Sequence, residues 1–307
     1  MTAERLTAGR ITVELSNTGK VLFPGDGITK GDLVRYYLGA AGAMLPLLRD
    51  RPLTLVRYPD GIGSGGVLQK NAPRYFPDWI TRAAVPKQGG TVQHVICDKP
   101  ATLAYLANQA CIELHAALSK RDALDCPDQL IFDLDPPDDR HFADVRRVAL
   151  LLRDLLEGEL GLTCFVKTTG GKGVHVHVAV QAGDDFDTVR QFARQVADVL
   201  VARQPRLLTT EQRRDKRGSR IYADVMRNGY SQTAIAPYAV RARPGAPVAT
   251  PLSWSELDSD LSPHDFTIAT VPGRLAGLNH DGDPWAAMPR RRYRLSRARG
   301  KLDQVAA

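Results

Sequence analysis

The sequence has no apolar run approaching the roughly 18 residues that a membrane span needs, and Met1 to Arg10 is polar, unlike a secretory leader. A soluble, unsecreted protein is therefore expected. Cysteine is scarce: Cys97, Cys111, Cys126 and Cys164 stand far apart, without the close pairs that a zinc site or a redox couple requires. They read as reduced thiols in core or loop. There is no internal repeat, no low-complexity linker and no Gly-x4-Gly-Lys-Ser/Thr phosphate loop.

What is present is 307 residues with 43% hydrophobic content, enough for one large domain or two small ones around a sizeable core. The formal net charge of +7 suits a polyanionic partner. Positive charge concentrates between Pro289 and Lys301, where Arg290, Arg291, Arg292, Arg294, Arg297, Arg299 and Lys301 surround one aromatic, Tyr293. Such a tail can line a phosphate backbone or be a solvated helix.

Thr29, with Asp32 three residues on, can cap a helix whose apolar positions run from Leu33 to Leu48. A second helix is expected around Ala101 to Ala117. From Leu130 the pattern becomes a β-α-β rhythm: a strand ending at Asp135, a helix through Leu155, a strand near Leu162 to Lys167, a tight turn at Gly170 to Gly173, a strand Val174 to Val180, and a helix through Leu200. Further strands are expected at Arg220 to Met226 and Thr233 to Val240. This order implies an α/β or α+β protein, with an N-terminal module of residues 1–122 and a catalytic module of residues 123–307.

Alternation along Gln129-Leu-Ile-Phe-Asp-Leu-Asp-Pro-Pro puts Asp133 and Asp135 on one face, roughly 7 Å or two strand rises apart. Carboxylates so placed repel unless a cation lies between them, and hard oxygen ligands favour Mg²⁺ or Mn²⁺. An acidic turn at a strand end is the alternative. Asp224, closing the apolar strand Ile221-Tyr-Ala-Asp, would complete the ligand set of a two-metal site. Between these strands lies Lys167-Thr-Thr-Gly-Gly-Lys-Gly-Val-His-Val-His-Val. Its glycines let backbone N–H groups approach an anion, and Lys172 adds a mobile positive charge. His175 and His177 share a face; they form either a metal pair or, the preferred reading, a phosphate donor at His175 and a sheet neighbour at His177.

Taken in order, Ser16-Asn-Thr-Gly-Lys-Val-Leu-Phe-Pro, Thr29-Lys-Gly-Asp, Arg57-Tyr-Pro-Asp-Gly, Glu113-Leu-His, Phe132-Asp-Leu-Asp-Pro, Thr169-Gly-Gly-Lys-Gly-Val-His, Ala223-Asp and Ile235-Ala-Pro-Tyr-Ala-Val-Arg-Ala-Arg resemble the archaeo-eukaryotic primase superfamily, specifically the polymerase domain of bacterial DNA ligase D. The resemblance implies a primase-polymerase fold with a mixed or antiparallel central sheet flanked by helices, an N-terminal module packed on a catalytic RRM-like module. It implies that Asp133, Asp135 and Asp224 hold Mn²⁺ or Mg²⁺. Thr169, Gly171, Lys172, Gly173 and His175 would then grip a nucleoside triphosphate, NTP or dNTP, with Arg217, Arg220, Arg241 and Arg243 nearby.

In the same way Lys20 and Lys30 match residues that bind a 5′-phosphate across a DNA gap, while Lys70 and His115 match DNA contacts. The implied function is gap filling or end extension in DNA repair, with a tolerance for ribonucleotides. It would be carried out by a monomer in the bacterial cytoplasm, at the nucleoid, in end joining with Ku and a separate ligase or in base excision repair. Where the family often has paired phenylalanines before Glu-Lys, this chain has Val67 and Leu68 before Gln69-Lys70, which removes aromatic faces for stacking a template base. No Lys-x-Asp-Gly adenylation motif occurs, so ligase activity is not expected of this polypeptide. The competing readings are a metal-dependent phosphohydrolase using Asp133, Asp135, His175 and His177, and a non-catalytic nucleic-acid binder. Acids in a basic cleft weigh against the binder, because uncovered they repel phosphate.

Overall fold

The computed structural model describes residues 4–258 and 260–306. Contacts divide the chain into two units: Met1–Asp122 with Thr233–Thr250 and His264–Asp283, and Ala123–Gln232 with Pro251–Pro263 and Pro284–Ala307.

The first unit is built on a sheet in which the strands Thr233–Ile235, Cys111–Ala117, Pro52–Arg57, Gly90–Ile96 and Arg82–Lys87 lie side by side, every pairing antiparallel. A short strand, Val67–Gln69, also pairs with Pro52–Arg57 and leaves Val67 and Leu68 exposed. The helix Lys30–Leu48 starts where the sequence places it. Thr29 accepts from the Asp32 amide and the Asp32 carboxylate accepts from the Thr29 amide, so two otherwise unpaired backbone donors are satisfied. Its buried polar groups are paired as well, with the Tyr37 hydroxyl donating to Ile112 O at 2.7 Å and Tyr36 to Tyr238 O at 2.8 Å.

Residues 233–250 and 264–283 differ from the sequence expectation, which puts everything after residue 122 in one catalytic module. They pack in the first unit because Thr233–Ile235 supplies an edge strand to Cys111–Ala117, and because the Tyr238 hydroxyl donates to Asp283. The strand expected to reach Val240 stops at Ile235; Tyr238, at φ 63°, takes the left-handed conformation that breaks an extended run. The second expected helix is shorter too, at Pro100–Asn108, and gives way to the strand Cys111–Ala117.

The core of the second unit runs β1 (Gln129–Asp135), α1 (Phe142–Arg153), β2 (Cys164–Thr168), β3 (Val174–Ala179), α2 (Phe186–Arg203) and β4 (Ile221–Asp224). The spatial order is β4-β1-β3-β2, with Leu208–Thr209 and Pro251–Leu252 as short edge strands. β1 is antiparallel to both β3 and β4, and β3 to β2. Each β-α-β step therefore skips over one strand, the interleaved arrangement of ferredoxin-like and RRM-type sheets. On one face Leu130, Phe132, Leu134, Val174, Val176 and Val178 are fully buried, and α1 and α2, both in contact with β1, bury Val145, Val148 and Leu152, and Val189, Phe192 and Val196. That apolar layer fixes which side chains remain on the other face: Asp133, Asp135, His175, His177 and Lys167.

β4 pairs with β1 over only three registered positions. Beyond them the Asn228 side chain does the work of a strand: its Oδ1 accepts from Ile131 N at 2.8 Å, and its Nδ2 donates to Ile131 O at 2.7 Å and Val225 O at 2.9 Å. Asn228→Leu keeps the branched heavy-atom skeleton, adds some bulk and removes all three bonds inside a buried site. It should lower unfolding stability by roughly 2–3 kcal/mol, read from the urea midpoint.

Candidate active site

The register of the second sheet lines up one row of side chains across four strands. Asp224 on β4 lies opposite Asp133 on β1, Asp133 opposite His175 on β3, and His175 opposite Lys167 on β2. Asp135 stands two residues along β1 on the same face. Opposed carboxylates repel, and the effect is visible on Asp135, whose pKa is pushed up to about 6 by burial and then by Asp133 and Asp224. Burial also raises Asp224, and Asp133 adds to the shift.

An imidazole and a guanidinium lie against this cluster. The His175 imidazole approaches Asp133 Oδ1 at 3.3 Å, and the Arg227 guanidinium approaches Oδ2 at 3.5 Å. Arg227 and Arg217 both favour ionised Asp135. One Asp224 oxygen is turned to its own backbone, accepting from Met226 N at 2.7 Å. With the oxygens of Asp133 and Asp224 so engaged, the three carboxylates do not close on one point. Among the described residues no group of three or more His, Cys, Asp or Glu is arranged to hold a metal ion. The donor set itself fits a hard divalent cation: three neighbouring carboxylates, mutually repelled, one of them raised to about 6 by burial and then by the other two.

Beside the row lies the turn 169–173. Thr169 closes it, its N–H and hydroxyl both donating to Gly173 O at 3.1 Å while the hydroxyl accepts from Gly171 N at 3.2 Å. Gly170 takes φ +63°, and at Gly173 a side chain would strike the Leu134 carbonyl and press on Asp135 Oδ1. Only glycine allows this turn to lie against the carboxylate strand. Lys172 donates to Pro137 O at 2.6 Å, tying the turn to the loop that follows Asp135. His177 stacks edge-on to Trp285, 4.8 Å between ring centroids, and contacts Gln129 Oε1 at 3.3 Å. Arg217 covers the Tyr222 ring at 3.6 Å and donates to Glu211 O and Gln212 O, while Arg220 donates to Arg217 O and Lys216 O. These two arginines shape the loop leading into β4.

The remaining sequence-expected residues belong to the first unit. Lys20 and Lys30 are brought together by Lys30 N donating to Lys20 O at 2.8 Å. Lys20 pairs with Asp60 at 2.9 Å; Lys30 is buried, reaches Ser16 Oγ at 3.4 Å, and has its pKa lowered by burial and then by Lys20. Lys70 is exposed just past Val67–Gln69. His115 and Arg241 both hold Glu113, each at 2.9 Å, and the Ala242 amide donates to the same carboxylate at 3.1 Å. Arg243 is exposed two residues on.

Residues 29–285 match the family described as the LigD primase-polymerase domain. The chain belongs to this family. As a LigD-type primase-polymerase it is a nucleotidyltransferase by class. It is 34% identical over 285 residues to the multifunctional non-homologous end joining DNA repair protein LigD of Mycobacterium tuberculosis, covering 90% of this chain and 37% of that protein. It is 31% identical over 268 residues to the bifunctional non-homologous end joining protein LigD of Bacillus subtilis, covering 86% of this chain and 42% of that one. The chain thus spans less than half the length of these relatives. The solved polymerase domain of Mycobacterium tuberculosis ligase D in complex with DNA superimposes with a TM-score of 0.83 at 31% identity, over 91% of this chain and 98% of that one.

Two residues of this LigD-type site escape a reading of the sequence alone. Lys167 is completely buried in the charged row, a position its alternation with Phe165 and Thr169 could have suggested. Arg227 carries no motif; only the 3-10 turn after β4 brings it back to Asp133.

Burial raises the Glu113 pKa, but the hydrogen bond from His115 and the Arg241 guanidinium outweigh it and hold the carboxyl at about 2. A group that titrates lower folded than unfolded stabilises fully above its unfolded pKa, and the contribution disappears as pH falls from about 4.5 toward 2. Glu113→Gln should therefore lose on the order of 3 kcal/mol at pH 7 and show a flatter stability profile across that window, measured by denaturant unfolding at several pH values.

Proposed function

We propose that the second unit carries a nucleotidyl-transfer centre that extends primer ends or fills short gaps in broken DNA, with Asp133, Asp135 and Asp224 holding Mn²⁺ or Mg²⁺. The observation that carries this reading is the opposed pair Asp133 and Asp224, with Asp135 pushed up to about 6, flanked by a glycine turn that comes within side-chain distance of Asp135. Bound divalent cations supply charge neutralisation of an attacking 3′-hydroxyl and a leaving pyrophosphate.

The protein's own groups bind and orient. The Gly171 N–H and the Thr169 hydroxyl, exchanging their bonds within the turn for phosphate oxygens, form with the Gly173 N–H, Lys172 and His175 the seat for a triphosphate, NTP or dNTP, and Arg217 and Arg220 add guanidinium donors. In the first unit, Lys20 and the buried Lys30 concentrate two ammonium groups where a terminal 5′-phosphate of gapped DNA would dock, and Lys70 and His115 contact the strands. The names of the LigD relatives support a place in non-homologous end joining DNA repair, and the proposal extends to Ku and a DNA ligase as partners of a monomer in the cytoplasm.

In a primer-extension assay with a 5′-phosphorylated gapped duplex, nucleoside triphosphates and Mn²⁺, Asp135→Asn should reduce extension at least about a hundredfold, with gapped-DNA affinity retained. Phosphate release from nucleotides without extension would replace this reading with a phosphohydrolase. Lys20→Ala should lower the affinity advantage of a 5′-phosphorylated over an unphosphorylated gap about tenfold, measured by fluorescence anisotropy. An unchanged advantage would remove Lys20 from the docking site.

A further inference from the structure

The seven basic residues between Arg290 and Lys301, with no acid among them, equal the whole formal excess of +7; without them Lys and Arg merely match the 34 Asp and Glu. The structure turns this segment into a fixed strap. Tyr293 bridges to Val180, its N–H donating to Ala179 O at 3.2 Å and its carbonyl accepting from Gln181 N at 2.8 Å, and its hydroxyl donates to Thr163 Oγ1 at 2.7 Å. The following helix, α3 (Leu295–Ala306), buries Leu295, Ala298 and Leu302. Held at these points, the strap presents Arg290, Arg291, Arg292, Arg294 and Arg297 to solvent. Among the described residues none of the five is joined to a carboxylate: Arg292 donates to Arg291 O and Arg294 to Gln181 Oε1.

The position of the strap separates it from the carboxylate row. It leaves the sheet at Val180, five residues along β3 from His175, which at about 3.3 Å per residue is roughly 17 Å. At ~3.4 Å per step that is about five base pairs of duplex. Arg292 and Arg294 flank the bridging Tyr293 at roughly 7 Å, or two such steps.

We infer that this strap is a second nucleic-acid contact, a sequence-independent clamp on the phosphate backbone of duplex flanking the reacting end. The inference rests on the DNA-directed reading above in choosing nucleic acid over other polyanions. Arginines already anchored and free of carboxylate partners lose little by exchanging water for phosphate, and their guanidiniums fork onto its oxygens.

The test compares R291Q/R292Q/R294Q with R147Q/R190Q/R194Q, which removes the same charge from α1 and α2, both in the full chain. Anisotropy titrations over a salt series use gapped duplexes with arms of about 20 and about 4 base pairs, with wild-type primer extension assayed alongside. The strap variant is expected to bind the long-arm duplex roughly tenfold more weakly at ~100 mM salt, with the slope of log K against log salt reduced by between about 1 and 3. The control variant should stay within about twofold of wild type, and the short-arm duplex should show little difference between the two variants.

Equal losses in both variants, or a strap loss independent of arm length, would overturn the clamp. So would unchanged DNA affinity with lost binding to a polyglutamate peptide, which would make the strap a docking site for acidic protein. A wild type that binds long-arm duplex through the strap but extends no primer would sink the nucleotidyl-transfer reading alone. A wild type that extends primers, with a strap variant that binds as tightly, would sink the clamp alone.

Discussion

Asp133 and Asp224 face one another across a hydrogen-bonded strand pair, with Asp135 two residues away, and every other feature of the second unit serves to hold that costly arrangement in place. At the effective dielectric of a half-buried site, two carboxylates about 5 Å apart repel by roughly 3 kcal/mol. The apolar face of β1 cannot turn over without exposing Leu130, Phe132 and Leu134 to water, so the acids cannot escape to the other side. Asn228 locks the β1 backbone just past the point where β4 runs out, and Gly173 lets the turn close in from the side. Arg227 and Arg217 return part of the repulsion as attraction. A site strained in this way is primed for a cation, because binding one relieves a cost already present in the protein.

Local features of this arrangement were legible in the chain. Period-two alternation put Asp133 and Asp135 on one face, and the glycine run announced the tight turn that Gly170 makes. The Thr29–Asp32 spacing announced a capping box, which the helix Lys30–Leu48 carries. What stayed hidden depends on pairings between residues far apart in sequence. Nothing in Ile221-Tyr-Ala-Asp says that β4 lies beside β1 with Asp224 opposite Asp133, because the interleaved strand order is a property of the closed sheet. Lys167 reads as the polar end of a strand until β3 aligns it with His175. Arg227 and Asn228 look like ordinary loop residues until the 3-10 turn folds them back. Thr233–Ile235 looks like one more strand of the later module, yet its partner is Cys111–Ala117, more than a hundred residues earlier.

That last pairing has a consequence for how the polypeptide comes to be assembled. The sheet of the first unit gains its edge strand only after β1 to β4 have emerged, and the second unit needs Pro284–Ala307 after the chain has passed through the first again. Neither half is a contiguous stretch, so closing either one carries the entropy of a very long loop, and a nascent chain stopped near residue 122 would bare the flank of Cys111–Ala117. A bared strand flank of that kind recruits other chains. The two halves are therefore folded together: a crossover at that junction would give the first sheet an edge strand from a different parent, and transplanting either unit whole would require moving three separate pieces of sequence at once.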